Sequence, residues 1–126
     1  MNMKKNLLVL IAVFGLLGSA KAQLTNTKWK ASFNVPSPVE CLLDFKKDTV
    51  VLLIAADSTP FETMKYSVEK NIITIEKLSG GSPCDYQVAG KYKFEIKDDK
   101  LQISLVDDAC NDRAGAWPTE PLVKVK

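Results

Sequence analysis

Along most of this chain apolar and polar residues alternate, the period of a strand with one buried and one solvated face. Trp29, Ala31 and Phe33 share one face of a first run, and Cys41, Leu43 and Phe45 one face of a second. Thr49 to Ala56 is continuously apolar and rich in β-branched residues, as expected of a strand with little water on either side. Met64, Tyr66 and Val68 alternate with Lys65, Ser67 and Glu69, and Ile73 and Ile75 continue after a turn at Lys70–Asn71. The clearest pair is Tyr92-Phe94-Ile96 and Leu101-Ile103-Leu105, joined through Asp98–Asp99, short polar residues that tolerate the left-handed backbone of a tight hairpin. A last short strand is expected over Leu122–Lys126.

Breakers separate these runs: Pro36 and Pro38, Asp57-Ser58-Thr59-Pro60, Ser79-Gly80-Gly81-Ser82-Pro83, and Pro118 with Pro121. Residues Cys110 to Trp117 suit at most one short helical turn. About eight short strands without an amphipathic helix predict an all-β antiparallel domain, and a meander of hairpins closes most simply into an up-and-down eight-stranded barrel. Its predicted interior runs from Phe33, Leu43, Phe45 and Leu53 through Met64, Tyr66, Val68, Ile73 and Ile75 to Tyr92, Phe94, Ile96, Leu101, Ile103 and Leu105. A barrel of this size just fills itself with side chains or holds one small ligand, so a pocket and a solid core are both open readings.

The N-terminus breaks the pattern. Lys4 and Lys5 precede a short apolar run, Leu7 to Leu17, and small residues lead to Ala20-Lys21-Ala22. This is the layout of a secretory signal peptide, residues 1–22, cut after Ala22. The run falls short of the ~20 residues a membrane span needs, and no cysteine at the cut marks a lipoprotein. Residues 23–126 then form a single domain, expected in a periplasm or outside the cell and not inserted in a membrane. Losing Lys4, Lys5 and Lys21 leaves 14 basic against 15 acidic residues, a net of −1 in place of +2. Arg113 is the only arginine, and no basic cluster offers a surface to nucleic acid.

There is no histidine, which excludes Ser-His-Asp and Cys-His catalysis and every zinc site containing histidine. Cys84 and Cys110 flank the same hairpin, whose ends an antiparallel pairing brings together, so a structural disulfide is expected between them. Closing that loop would stabilise the fold by about 3 to 4 kcal/mol on the chain-entropy view. A redox pair is the alternative, although the Cys-X-X-Cys spacing is missing. Cys41, on an inward face, reads as a small buried hydrophobe or, less simply, a reactive thiol. Asp85, Asp107, Asp108 and Asp112 lack the glycine-punctuated spacing of a calcium loop and read as solvated carboxylates. Nothing fixes a carboxylate pair at hydrolase separation, so the chain is expected not to be an enzyme and to need no metal or cofactor.

Thr27-Lys28-Trp29 on the first strand, the eight-strand meander and Arg113 beyond the penultimate strand resemble the small bacterial secreted lipocalin-like proteins, within the calycin group of β-barrels. The resemblance spans residues 23–126. It implies that Trp29 closes the barrel floor beneath a basic side chain from near the C-terminal end, here Arg113, with cation–π attraction between them. Thr27 stands where the group usually has glycine, and the short chain argues against a large cavity. The function implied is binding of a small hydrophobic ligand by Phe33, Phe45, Met64, Tyr66, Tyr92 and Phe94. The alternative is a packed barrel whose loops at Pro36–Pro38, Ser79–Pro83 and Pro118–Pro121 engage a protein partner, as a protease inhibitor or envelope component.

Overall fold

The computed structural model describes residues 20–126. The expected signal peptide therefore lies outside the described residues except for Ala20, Lys21 and Ala22. Eight strands follow in order: β1 (Lys28–Asn34), β2 (Pro38–Phe45), β3 (Thr49–Ile54), β4 (Pro60–Glu69), β5 (Ile72–Gly80), β6 (Gly90–Lys97), β7 (Lys100–Asp108) and β8 (Leu122–Val125). A six-residue helix, α1 (Asn111–Ala116), stands between the last two. Each strand pairs antiparallel with the next, and β8 returns to β1, giving a closed up-and-down barrel.

The two ends of the barrel are built differently. At the end called lower here, β2–β3, β4–β5 and β6–β7 are joined by short turns. Asp98 and Asp99 both have positive φ (53° and 59°), the backbone that a two-residue hairpin with right-handed strand twist requires. Leu24, Trp29, Phe45 and Tyr66 fill this end, all at 2% exposure or less. Phe45 and Tyr66 meet edge to face at 5.2 Å, and the Tyr66 hydroxyl donates to the Lys46 carbonyl at 2.7 Å. The Trp29 indole N–H donates to Thr27 Oγ1 at 2.8 Å, so the polar atom of the floor tryptophan is satisfied where it is buried. The upper end carries the connections 35–37, 55–59 and 81–89, the last two longer than any at the lower end, together with α1.

Closure is uneven. β8 pairs with Lys28–Lys30 on one side and only with Lys100 and Leu101 on the other. The upper halves of β1 and β7 have no strand between them, and α1 and Trp117 cover that side, Trp117 lying 5.6 Å from Phe33 and 5.1 Å from Tyr92.

Several expectations are corrected. On β3 the inward residues are Val50 and Leu52, not Leu53, because pairing Val50 with Phe45 and Leu52 with Leu43 fixes that phase. Leu105 pairs with Tyr92 yet is 56% exposed, on the part of β7 that β8 does not reach. Pro38 and Pro60 open strands rather than interrupt them, a position where the missing N–H costs little. Ser79 and Gly80 belong to β5, not to the loop.

Candidate functional site

At the upper end the inward phase turns from apolar to polar. Glu62 is in phase with Met64 and Tyr66 and is 4% exposed, and Lys77 is in phase with Ile73 and Ile75 at 7%. Buried charges need partners. Glu62 accepts from the Ser82 N–H at 3.0 Å and from the Ser82 hydroxyl at 2.5 Å. Lys77 donates to the Ser82 carbonyl at 2.5 Å and stands 4.0 Å from Glu62. Gly80 makes this approach possible: its φ is +136°, and a Cβ there would lie 2.6 Å from the Glu62 Cα.

Across the mouth, Arg113 on α1 is 5% exposed and grips Asp108 in a two-pronged ion pair, Nε to Oδ2 at 2.6 Å and Nη2 to Oδ1 at 2.8 Å. Nη2 also donates to the Val88 carbonyl at 2.9 Å. Asp108 further accepts from the Tyr92 hydroxyl and from the Cys110 N–H. Burial works to raise the Asp108 carboxyl, but these hydrogen bonds and the guanidinium charge outweigh it and hold it below the ordinary carboxylate value. Burial, then the bond to Asp108, pushes the Tyr92 hydroxyl up, so it stays protonated and donating. Gly90 has no side chain because a Cβ there would overlap the Asp108 carboxylate.

A disulfide between Cys84 and Cys110, Cα atoms 5.6 Å apart, ties the 81–89 connection to the residue preceding α1. The pairing read from the hairpin is the one formed. Cys41 is buried and unpaired, and desolvation pushes its thiol up, with the neighbouring Glu40 adding to the effect, so it behaves as a small hydrophobe rather than a thiolate.

Between these polar groups the barrel opens into a cavity of ≈ 370 Å³. Phe33, Leu43, Leu52, Phe61, Met64 and Trp117 supply its apolar walls, and Asn34 to Pro36, Glu62, Gly81 to Pro83, Asp112, Arg113 and Ala116 its rim. Of the residues expected to contact a ligand, Phe33 and Met64 line this space. Phe45, Tyr66, Tyr92 and Phe94 do not, and are packed in the core.

The pairing of Trp29 with Arg113 is overturned. Trp29 stands at the lower end of β1, opposite Leu43 and Lys124, whereas Arg113 follows the upper end of β7 and is held there by Asp108. Lys124 Nζ occupies the position over the Trp29 ring, 6.0 Å from its centroid. Sequence reading also missed Glu62, Lys77, Leu52, Phe61 and Trp117. Extending the Met64-Tyr66-Val68 phase back by one step would have put the Glu62 carboxylate inside. No comparable signal marked Trp117, whose place depends on the tertiary gap left by the short β8.

No known protein family, curated protein or solved structure matches this chain.

Proposed function

We propose that this protein is a lipocalin-like carrier of the calycin type, exported from a bacterium by its signal peptide, that takes a small apolar molecule into the upper end of its barrel. The cavity walled by Phe33, Leu43, Leu52, Phe61, Met64 and Trp117 carries this reading. Its size falls within the range of small-molecule sites, and its walls are mainly apolar with a few convergent polar groups. The disulfide is compatible with an oxidising compartment, and among the described residues no helix is long and apolar enough to cross a membrane. Nothing in the arrangement calls for catalysis, since the buried carboxylates Glu62 and Asp108 are both committed to hydrogen bonds.

Titration of the mature protein with fluorescent apolar probes should give saturable binding of one probe per barrel. Leu52→Trp, which fills the cavity, should abolish it while far-ultraviolet circular dichroism stays unchanged. Absence of saturable binding across a panel of apolar probes would end this reading.

One observation favours a second reading, a module that binds a protein partner. Leu105 and Val106 are 56% and 54% exposed on the part of β7 that β8 does not reach, an adjacent apolar pair that a partner surface can cover. A stoichiometric partner recovered from envelope extract by the wild type and lost with Val106→Lys would support it. Equal recovery by both proteins would remove it.

A further inference from the structure

We propose that the cavity selects apolar molecules ending in an uncharged hydrogen-bond acceptor, an ester, ketone or lactone carbonyl, received by the spare Nη1 of Arg113 beside the indole N–H of Trp117. This rests on the reading of the cavity as a ligand site.

Three of the five guanidinium hydrogens of Arg113 are directed to Asp108 and Val88 through Nε and Nη2. Nη1 is buried and has no partner among the described residues, and the same holds for Trp117 Nε1. Both side chains lie near the Tyr92 hydroxyl but Nη1 and Nε1 are outside hydrogen-bond geometry to it, and Nη1, which belongs to a cation, is the stronger donor of the two. Both side chains line the cavity. Buried donors are almost always paired in native proteins, and an orphan is costly. A ligand oxygen between the apolar walls and Arg113 removes that cost, and a hydrocarbon does not.

Charge decides what kind of oxygen. The Arg113 cation is already neutralised by Asp108, and Glu62 faces Lys77. Asp112 on the rim leaves one further negative charge. A carboxylate or phosphate would enter a desolvated mouth without a free cation and against Asp108 and Asp112. A carbonyl accepts the same hydrogen bond without that repulsion. The volume of ≈ 370 Å³ corresponds to roughly a dozen water-sized groups, which fits a medium-chain molecule. Nη1 and the indole N–H are closed to solvent, so the acceptor reaches them with a shift of the rim. Trp117 should report it.

The test uses the mature, disulfide-bonded protein and three compounds of matched length: methyl nonanoate, undecane and decanoic acid at neutral pH. Each is titrated against a bound fluorescent apolar probe, and affinities are corrected for the compound's own transfer out of water. The ester should bind about tenfold tighter than undecane or the acid, the scale of one hydrogen bond from a charged donor. In nitrogen–proton correlation spectra the Trp117 indole signal should move with the ester and stay put with undecane. The Trp29 signal, bonded to Thr27 at the other end, should not move with either. Arg113→Lys keeps a cation opposite Asp108 and loses Nη1, and should bring the ester down to the hydrocarbon's affinity. Equal corrected affinity for ester and undecane overturns the inference and leaves the apolar cavity reading standing. Tightest binding of the acid overturns the choice of an uncharged head. If no compound displaces the probe, the inference fails while the probe's own binding still supports the cavity. If the probe itself does not bind, both fail. Should Arg113→Lys not fold, the wild-type affinities and the Trp117 signal decide alone.

Discussion

The lower and upper ends of the barrel use the same strands and opposite chemistry. Below, inward positions are apolar, turns are short, and Leu24, Trp29 and Phe45 leave little room. Above, the same inward phase carries Glu62 and Lys77, Asp108 and Arg113 face them, and a cavity remains between. Each of these four charged side chains is fixed by a specific partner instead of by general packing, so the upper wall is held apart rather than collapsed. A barrel can thus keep its fold at one end and its site at the other.

Substitutions at the two ends should separate these roles. Phe45→Ala removes a fully buried ring from the packed floor and should cost about 3 to 5 kcal/mol in denaturant unfolding, with any remaining folded protein still binding the apolar probe. Asp108→Ala should cost a similar amount, about 3 to 5 kcal/mol, because it strands the buried Arg113 charge, and it should weaken probe binding as well. The carboxyl of Asp108 lies lower in the folded chain than in the unfolded one. Its contribution is therefore fully present above the unfolded value of about 3.9 and is lost as pH falls through the folded value. Asp108→Asn should flatten that acid limb in melting curves taken from neutral pH downward.

Smaller effects sharpen the contrast. Replacing Cys84 and Cys110 together by alanine should cost about 2 to 4 kcal/mol. It should loosen the two rim segments that the disulfide joins, Ser82–Pro83 and α1, and raise the probe's dissociation constant. Leu52→Ala should be the mildest, about 2 kcal/mol or less by calorimetry, because it enlarges a space that already exists instead of opening a new one. A floor residue of the same type, Leu101→Ala, should exceed it. If Leu52 and Leu101 cost the same, the two ends are not packed differently and the comparison fails.

The lower end was legible in the sequence because local rules and global packing agree there. Alternation placed Trp29, Phe45 and Tyr66 inside, and Asp98–Asp99 marked the turn. The Cys84–Cys110 pair followed from hairpin geometry. What was not legible depends on register and on what is missing. The continuous apolar run of β3 has no alternation to reveal its phase, so Leu52 and Leu53 were indistinguishable until pairing with β2 fixed them. The exposure of Leu105 and the placement of Trp117 both follow from the shortness of β8, a property of the partner strand rather than of either residue. Arg113 was read as stacking on Trp29 at the floor and stands instead at the other end, because its partner, Asp108, had been read as a solvated loop carboxylate.

The brevity of β8 also bears on how the chain reaches this state. Every other strand pairing joins neighbours in sequence, with low loop-closure entropy, so the meander from β1 to β7 can assemble hairpin by hairpin. Closing the ring instead brings Val123–Val125 to Lys28–Lys30 across nearly the whole described chain. Barrel closure is therefore a single non-local event at a seam of three residue pairs, and the edge of β1 stays open until it is complete. The slow step of folding and the first point of opening on unfolding should coincide at that seam, on the floor of the barrel and away from the cavity.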